Sequence, residues 1–264
     1  MVIIRHIILL ILLPLCVEAQ RWEIGLAAGG ANYLGDMAPT IVLFETKSSY
    51  GFVVKKNIDP YFSHNFSIMR GSISGNDQNF SFLSERNLSF FSEITEFAYI
   101  FEFNFFRFAI GLHPNKFTPF TFIGLASFYH QPKTIHDATT IILGPLDTEG
   151  VFLNTTRKGY KNLQLSIPMG GGFKWKLSPD LIMAVNMGFR YTFTDYLDDV
   201  STIYYNIDDL RNKYGDLSVI LSDRSESTIG FHGKQRGRSD MNDWYIFSCL
   251  SLTFRIKNKV CFEF

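Results

Sequence analysis

The sequence predicts an all-β chain, an eight-stranded antiparallel transmembrane β-barrel with short periplasmic turns and long extracellular loops. Three observations predict it. Eight segments alternate apolar with polar side chains, the connections between them switch between short and long, and a secretion signal precedes them. Alternation at period two sends successive side chains to opposite faces of a strand. Each segment therefore offers one face to hydrocarbon and the other to a wet interior.

Residues 1–19 read as a secretory signal. Arg5 and His6 give a basic start, residues 7–15 an apolar run, and Val17-Glu18-Ala19 a cleavage site. The run is well short of the roughly 18–20 apolar residues that a membrane-spanning helix needs. Cys16 follows Pro14-Leu15, where lipid attachment requires a small residue, so it is expected to leave with the signal. The barrel domain is then 20–264, and the mature chain is expected in the outer membrane. Cleavage removes one base, Arg5, and one acid, Glu18, from 25 of each, which leaves the net charge at zero. No basic footprint for nucleic acid appears.

The strands are expected at 22–33, 49–57, 61–73, 89–105, 117–130, 161–177, 181–195 and 243–257. Each reaches or approaches the roughly 9–11 residues that cross a bilayer at barrel tilt. In the sixth, Leu163, Leu165, Ile167, Met169, Phe173, Trp175 and Leu177 share one face, while Gln164, Ser166, Gly170, Gly172, Lys174 and Lys176 share the other. In the last, Trp244, Ile246, Leu250, Leu252, Phe254 and Ile256 are expected to face lipid, and Tyr245, Phe247, Cys249, Ser251, Thr253 and Arg255 the lumen. Pro168 predicts a bent or bulged strand. Aromatic residues make up 16% of the chain, 27 of them Phe, without a second long apolar run. Scattered aromatics suit a barrel with interfacial girdles, and a soluble β-sandwich is the competing architecture.

Even-stranded bacterial barrels keep both termini and the short turns in the periplasm. Here the even-numbered connections are 58–60, 106–116 and 178–180, and the odd ones, 34–47, 74–88, 131–160 and 196–242, are all longer and more polar. In the last of these, Ile207, Leu210, Tyr214, Leu217 and Leu221 approximate helical spacing, split or ended at Gly215.

Eight strands enclose a width that side chains fill, so a plugged cylinder is expected and not a diffusion pore. Glu23, Glu96, Glu102, Lys174, Lys176, Arg190 and Arg255 are expected to point inward as a neutralising polar network, since buried charges must be paired or hydrated.

No catalytic, cofactor or metal site is predicted. His130, His136, Ser201, Ser222 and Ser225 could serve a lipid hydrolase at the outer rim, but they lack a strand-borne His-x-Ser arrangement. Asp195, Asp198, Asp199, Asp208 and Asp209 offer oxygen ligands without the spacing, glycine and terminal glutamate of a calcium loop. His64 is expected on the lipid face near the periplasmic rim. Gly29-Gly30 and Gly170-Gly171-Gly172 lack the strand–loop–helix context of a phosphate loop and instead relieve crowding in a coiled sheet.

Several strings carry a family resemblance: Ala31-Asn32-Tyr33-Leu34-Gly35-Asp36, Arg70-Gly71-Ser72-Ile73-Ser74-Gly75, Phe101-Glu102-Phe103-Asn104-Phe105-Phe106 and Phe117-Thr118-Pro119-Phe120. Pro145-Leu146-Asp147-Thr148-Glu149-Gly150, the block from Arg190-Tyr191 to Asp198-Asp199-Val200-Ser201, and Leu221-Ser222-Asp223-Arg224-Ser225 follow in order. Together they resemble the PorG-like outer-membrane proteins of Bacteroidetes. The first outer loop is shorter than that family's pattern, and Asp147 stands where glycine is expected.

The resemblance implies a non-enzymatic component of the type IX protein secretion system, also linked to gliding motility, that associates with a periplasmic ring formed by a lipoprotein and its soluble partner. Its expected partners are outer-membrane lipid and that ring. Lys257, Lys259, Cys261 and Phe262, in the tail after the last strand, are the candidate periplasmic contacts. Cys261 would be an exposed thiol in an oxidising compartment, which favours a mixed disulfide or modification. The competing functions are a general surface or small-ligand-binding barrel and a lipid-modifying enzyme.

Overall fold

The computed structural model describes residues 22–108, 110, 114–153 and 161–256. The signal and the four tail residues proposed as partner contacts lie outside the described residues. Eight strands close a barrel: β1 (Trp22–Leu34), β2 (Lys47–Asn57), β3 (Phe62–Asn76), β4 (Ser89–Asn104), β5 (Phe117–Tyr129), β8 (Leu163–Lys176), β9 (Leu181–Thr192) and β10 (Trp244–Arg255). Each pairs antiparallel with its neighbour along the chain, and β1 with β10 completes the ring. The expected strand positions match these within a few residues.

The outer surface is the inverse of a water-soluble barrel. Leu26, Phe52, Ile68, Phe97, Leu125, Leu165, Val185 and Leu252, one from each barrel strand, are all exposed. Exposing that many large apolar groups to water would oppose folding, whereas hydrocarbon accepts them. Polar side chains on this face gather toward the strand ends. At the short-turn end His64 stacks on Tyr99, whose hydroxyl lies 2.6 Å from its Nδ1, and Lys56 sits 5.6 Å over the Trp22 ring. Toward the loop end Arg70 pairs with Glu93 at 3.1 Å. Aromatic clusters border both ends: Phe117 stacks on Phe173 at 5.7 Å at one, and Trp244 meets Tyr191 edge-on at 5.1 Å at the other. The structure therefore carries both girdles of a membrane-spanning barrel.

Side-chain staples hold the tight turns. Asp59 Oδ1 accepts from the amides of Tyr61 and Phe62 at 2.7 and 2.8 Å, and Ser178 Oγ accepts from Leu181 at 3.1 Å. Such side-chain acceptors replace a turn's missing backbone partners. The remaining short connection contributes Phe108, which is buried against Ile182 and whose amide donates to Pro60 at 2.9 Å.

Three differences from the sequence reading have physical causes. Residues 131–160, expected as loop, contain a hairpin, β6 (Pro132–His136) and β7 (Thr139–Ile142). β6 pairs with β4 in the register that β5 uses, extending the sheet past the barrel. Its turn places Asp137 and Ala138 at φ 48° and 59°, a two-residue turn that Asn-Gly would have announced. Pro168 makes no bulge: pairing of β5 with β8 lapses between Ile123↔Met169 and Ala126↔Ser166, yet the register is unchanged across the gap. Ile246, expected at lipid, is 0% exposed. Its cross-strand partner Asn32 donates to Val42 O at 3.3 Å and Thr46 Oγ1 at 2.9 Å, which brings the first loop down over the barrel's outer wall.

The long final loop forms helices α1 (Ile207–Tyr214) and α2 (Asp216–Ser222), divided at Gly215 with φ 86°. Asn206 caps α1 by accepting from the amides of Asp208 and Asp209. Among the described residues no helix is long and apolar enough to cross a membrane.

Candidate functional site: the charged lumen and the loop cap

Strand parity builds the interior in layers. Nearest the short turns, Glu23 accepts from Asn57 Nδ2 at 2.7 Å and Thr253 Oγ1 at 3.1 Å, with Arg255 Nη2 at 3.7 Å. In the next layer Glu102 lies 2.6 Å from Lys174 and 2.9 Å from Lys55, and also accepts from Asn65 Nδ2 at 2.7 Å. Lys174 also donates to Asn104 at 2.8 Å and sits 4.3 Å over the Phe120 ring. Further along, Glu96 receives Tyr245 Oη at 2.6 Å and Arg190 Nε at 3.1 Å, while the Arg190 guanidinium covers Phe247 at 4.7 Å. A cavity of about 40 Å³ between these two charged layers, touching Glu102, Lys55, Arg190 and Cys249, is room for roughly one to three waters. The lumen is filled.

Of the seven residues read as luminal, Glu23, Glu96, Glu102, Lys174, Arg190 and Arg255 enter these three groups. Lys176 does not. It is half-buried at the last position of β8, with its backbone amide on Lys116 O at 2.7 Å and no ion pair among the described residues. The strand ends there, and water can solvate the ammonium. Lys55, absent from that expectation, supplies the second cation of the Glu102 layer. The Lys55-Lys56 doublet conceals which lysine points inward, although the parity shared with Val53 and Asn57 selects Lys55. Cys249 is a buried free thiol 3.8 Å from Ser49 Oγ.

Above the lumen the loops assemble a buried polar cap. Glu149 accepts from the amides of Ser201 and Thr202 at 2.9 and 3.0 Å, from Thr202 Oγ1 at 2.7 Å, and from Arg236 Nη1 at 3.1 Å. Arg236 also holds Ser222 O and Asp199 O. Arg86 joins three loops by donating to Asp77, Asp36 O and Arg236 O. Tyr33 Oη bridges Asp198 at 2.6 Å and Asp243 at 2.9 Å. Burial holds Asp198 and Asp243 well above the ordinary carboxylate range, and their neighbouring carboxylates, Asp36 for the one and Asp198 for the other, add to the rise. Burial also pushes Asp195, whose two buried carboxylate oxygens have no hydrogen-bond partner among the described residues, up to about 9, and the nearby carboxylates of Asp36, Asp198 and Glu149 add to the rise.

Four of the seven strings that carry the family resemblance converge here. Asp36, Asp147, Glu149, Gly150, Asp195, Asp198, Ser201, Ser222 and Arg224 come from them. Asp147 has φ 48°, a left-handed conformation that accounts for the expected glycine, and its carboxylate accepts from the amides of Val151 and Phe152 at 2.6 and 3.0 Å. Gly150, with φ 61°, faces the Tyr205 ring so closely that a Cβ would stand 2.3 Å from it.

The groups weighed for catalysis are employed in this architecture. His130 is buried beside Phe128, and burial lowers its pKa to about 4. Ser225 Oγ donates to Asp223 at 2.6 Å, and the amide of Ser201 donates to Glu149 at 2.9 Å. His136 stands beside Asp137 in the β6–β7 turn. Asp208 and Asp209 lie in the first turn of α1. No group of three or more acidic, histidine or cysteine side chains is arranged to hold a metal ion among the described residues.

Several solved structures are similar to this one. Neisserial surface protein A matches with a TM-score of 0.45 and 6% identity over 89% of this chain and 97% of that one. Outer membrane protein OprG from Pseudomonas aeruginosa matches at 0.39 and 7% over 89% and 95%, and Ail, the attachment invasion locus protein of Yersinia pestis, at 0.40 and 5% over 88% and 97%. No curated protein sequence matches the chain. The domain of unknown function DUF6089 matches residues 2–219, most of the chain and three of its four long loops, and the protein belongs to that family.

Proposed function

We propose that the protein is a non-enzymatic outer-membrane component of the type IX secretion machinery, holding a periplasmic lipoprotein-containing ring against the membrane. The observation that supports this most is the filled interior. With Glu102, Lys55 and Lys174 across its middle and Glu96, Arg190 and Tyr245 above them, the barrel offers no passage for a folded cargo and acts through its surfaces. The ordered PorG-like strings supply the link to secretion. In this reading the stapled turns at Asp59 and Ser178, with the tail after Ile256, face the ring. The cap closes the opposite end and stiffens the barrel that bears it.

Deletion of the gene, followed by an assay of cargo carrying the type IX signal, tests the proposal. Lost secretion and co-purification of the ring lipoprotein from detergent extracts are expected. Normal secretion would overturn it, and altered lipid A with normal secretion would favour the enzymatic reading. A surface-binding barrel is the second reading, favoured by the extent of structured loop at the cap end.

A further inference from the structure

We infer that a crevice beside the cap, at the rim of the barrel, is a binding site for an anionic, phosphoryl-bearing lipid of the surrounding outer leaflet. The inference is independent of the secretion role. The crevice has a volume of about 800 Å³ and lies between the first, second and last long loops and the tops of β1 and β10. Its wall on the membrane side is the pair Leu34 and Trp244, partners in the β1–β10 ladder whose parity puts both on the barrel's exterior. Trp244 packs on Tyr191, and Tyr191 on Phe193 at 5.4 Å, while Asn242 Nδ2 donates to Tyr191 Oη at 3.1 Å. Aromatic groups with such polar handles mark the level where acyl chains give way to headgroups. The crevice therefore begins at the lipid interface.

Its lining then changes character. Phe82 and Met241 present exposed apolar surface, 72% and 55% exposed, and the same lining carries Lys234 and Arg238 together with Asp36, which accepts from the Arg238 amide at 2.8 Å, and Glu85, which accepts from Ser227 Oγ at 2.7 Å. Lys234 forms no ion pair among the described residues. The exposed pair of Arg238 with Asp240, at 3.1 Å, is of a kind worth little in water and can be exchanged for a phosphate. The floor is fixed in advance, because buried Arg86 and Arg236 tie the loops together there and their own charges are met by Asp77 and Glu149. Apolar surface at the membrane level, with cations above it and a preformed floor, complements a lipid: acyl chains against Trp244 and Leu34, phosphoryl oxygens at Lys234 and Arg238. A soluble anion would use only the upper half.

Native mass spectrometry of the detergent-solubilised protein tests this, with bis-phosphorylated hexaacyl lipid A as the probe and its dephosphorylated form and inorganic phosphate as comparisons. The phosphorylated lipid is expected to give a persistent one-to-one adduct that Lys234→Gln with Arg238→Gln reduces by at least about fivefold. Met241→Glu should weaken it too, and Arg211→Gln, in α1, should leave it unchanged. Heat-modifiable electrophoretic mobility shows that each variant is folded. Equal binding of the dephosphorylated lipid, an adduct unaffected by the double substitution, or complete displacement by inorganic phosphate would each overturn the inference.

Discussion

The lumen and the cap both bury carboxylates, but they satisfy them by different means. Glu102 is met by two lysines projecting from β2 and β8, and its charge is balanced by cations whose positions strand parity dictates. Glu149 is met chiefly by backbone amides of a distant loop, with one guanidinium, and around it Asp36, Asp195, Asp198 and Asp243 outnumber the nearby arginines. A barrel interior can place a counter-ion opposite a charge because its wall is regular. A cap made of loops must bind carboxylates through its own amides, and burial raises the pKa of several of them. The lumen should therefore be sensitive to loss of charge balance, and the cap to pH.

The largest effect is expected in the lumen. Glu102→Gln leaves Lys55 and Lys174 as uncompensated buried charges and should cost about 3–5 kcal/mol, with most of it recovered when both lysines are also changed to Met. Urea unfolding in lipid bilayers measures both. A cost below about 1 kcal/mol would mean that water, not Glu102, neutralises the lysines. Glu149→Gln comes next. It weakens charge-assisted bonds to Ser201, Thr202 and Arg236 and should cost about 2–3 kcal/mol, felt in the cap and not in the barrel. Hydrogen exchange should accelerate across residues 198–204 while the amides of β1 and β10 stay protected. Uniform acceleration would show that cap and barrel unfold together.

The pH response separates the two regions further. A carboxyl whose pKa rises on folding holds more protons folded than unfolded, so stability falls as pH climbs from the unfolded value near 4 toward the folded one. For Asp195 that window extends to about 9, and Asp36, Asp198 and Asp243 shift in the same direction. Protection of the cap amides, corrected for intrinsic exchange, should thus decline between pH 6 and pH 9, and Asp195→Asn should flatten the decline. A cap that tightens with rising pH would contradict the assignment. The smallest effect is Tyr33→Phe, which removes the hydroxyl between Asp198 and Asp243 and should cost about 1 kcal/mol in the same exchange measurement.

The two regions also differ in how far their sequence could be read. In the strands one rule suffices, because alternation fixes the face of each side chain. Leu26, Leu165 and Leu252 go to lipid while Glu102, Lys174 and Arg190 go inward. The rule fails where something outside the strand intervenes. Ile246 has lipid-facing parity yet is covered, because Asn32 beside it anchors the first loop. Lys176 has luminal parity yet sits where the strand ends. In the cap no periodicity operates: Arg86 and Arg236 are 150 residues apart, and the hydrogen bond joining them depends on loops meeting only after the barrel closes. Only the helical spacing from Ile207 to Leu221 could be read there. The family-like strings marked the cap's components without revealing that they touch.

The central claim is that the short-turn end of a filled barrel holds a periplasmic ring. Site-specific photo-crosslinking in cells tests it most directly, with the probe at Asp59 in the first tight turn and, separately, at Asp137 in the β6–β7 turn. The account predicts a crosslink from position 59 to the ring lipoprotein and none from position 137. A crosslink to that lipoprotein from 137 alone would contradict it.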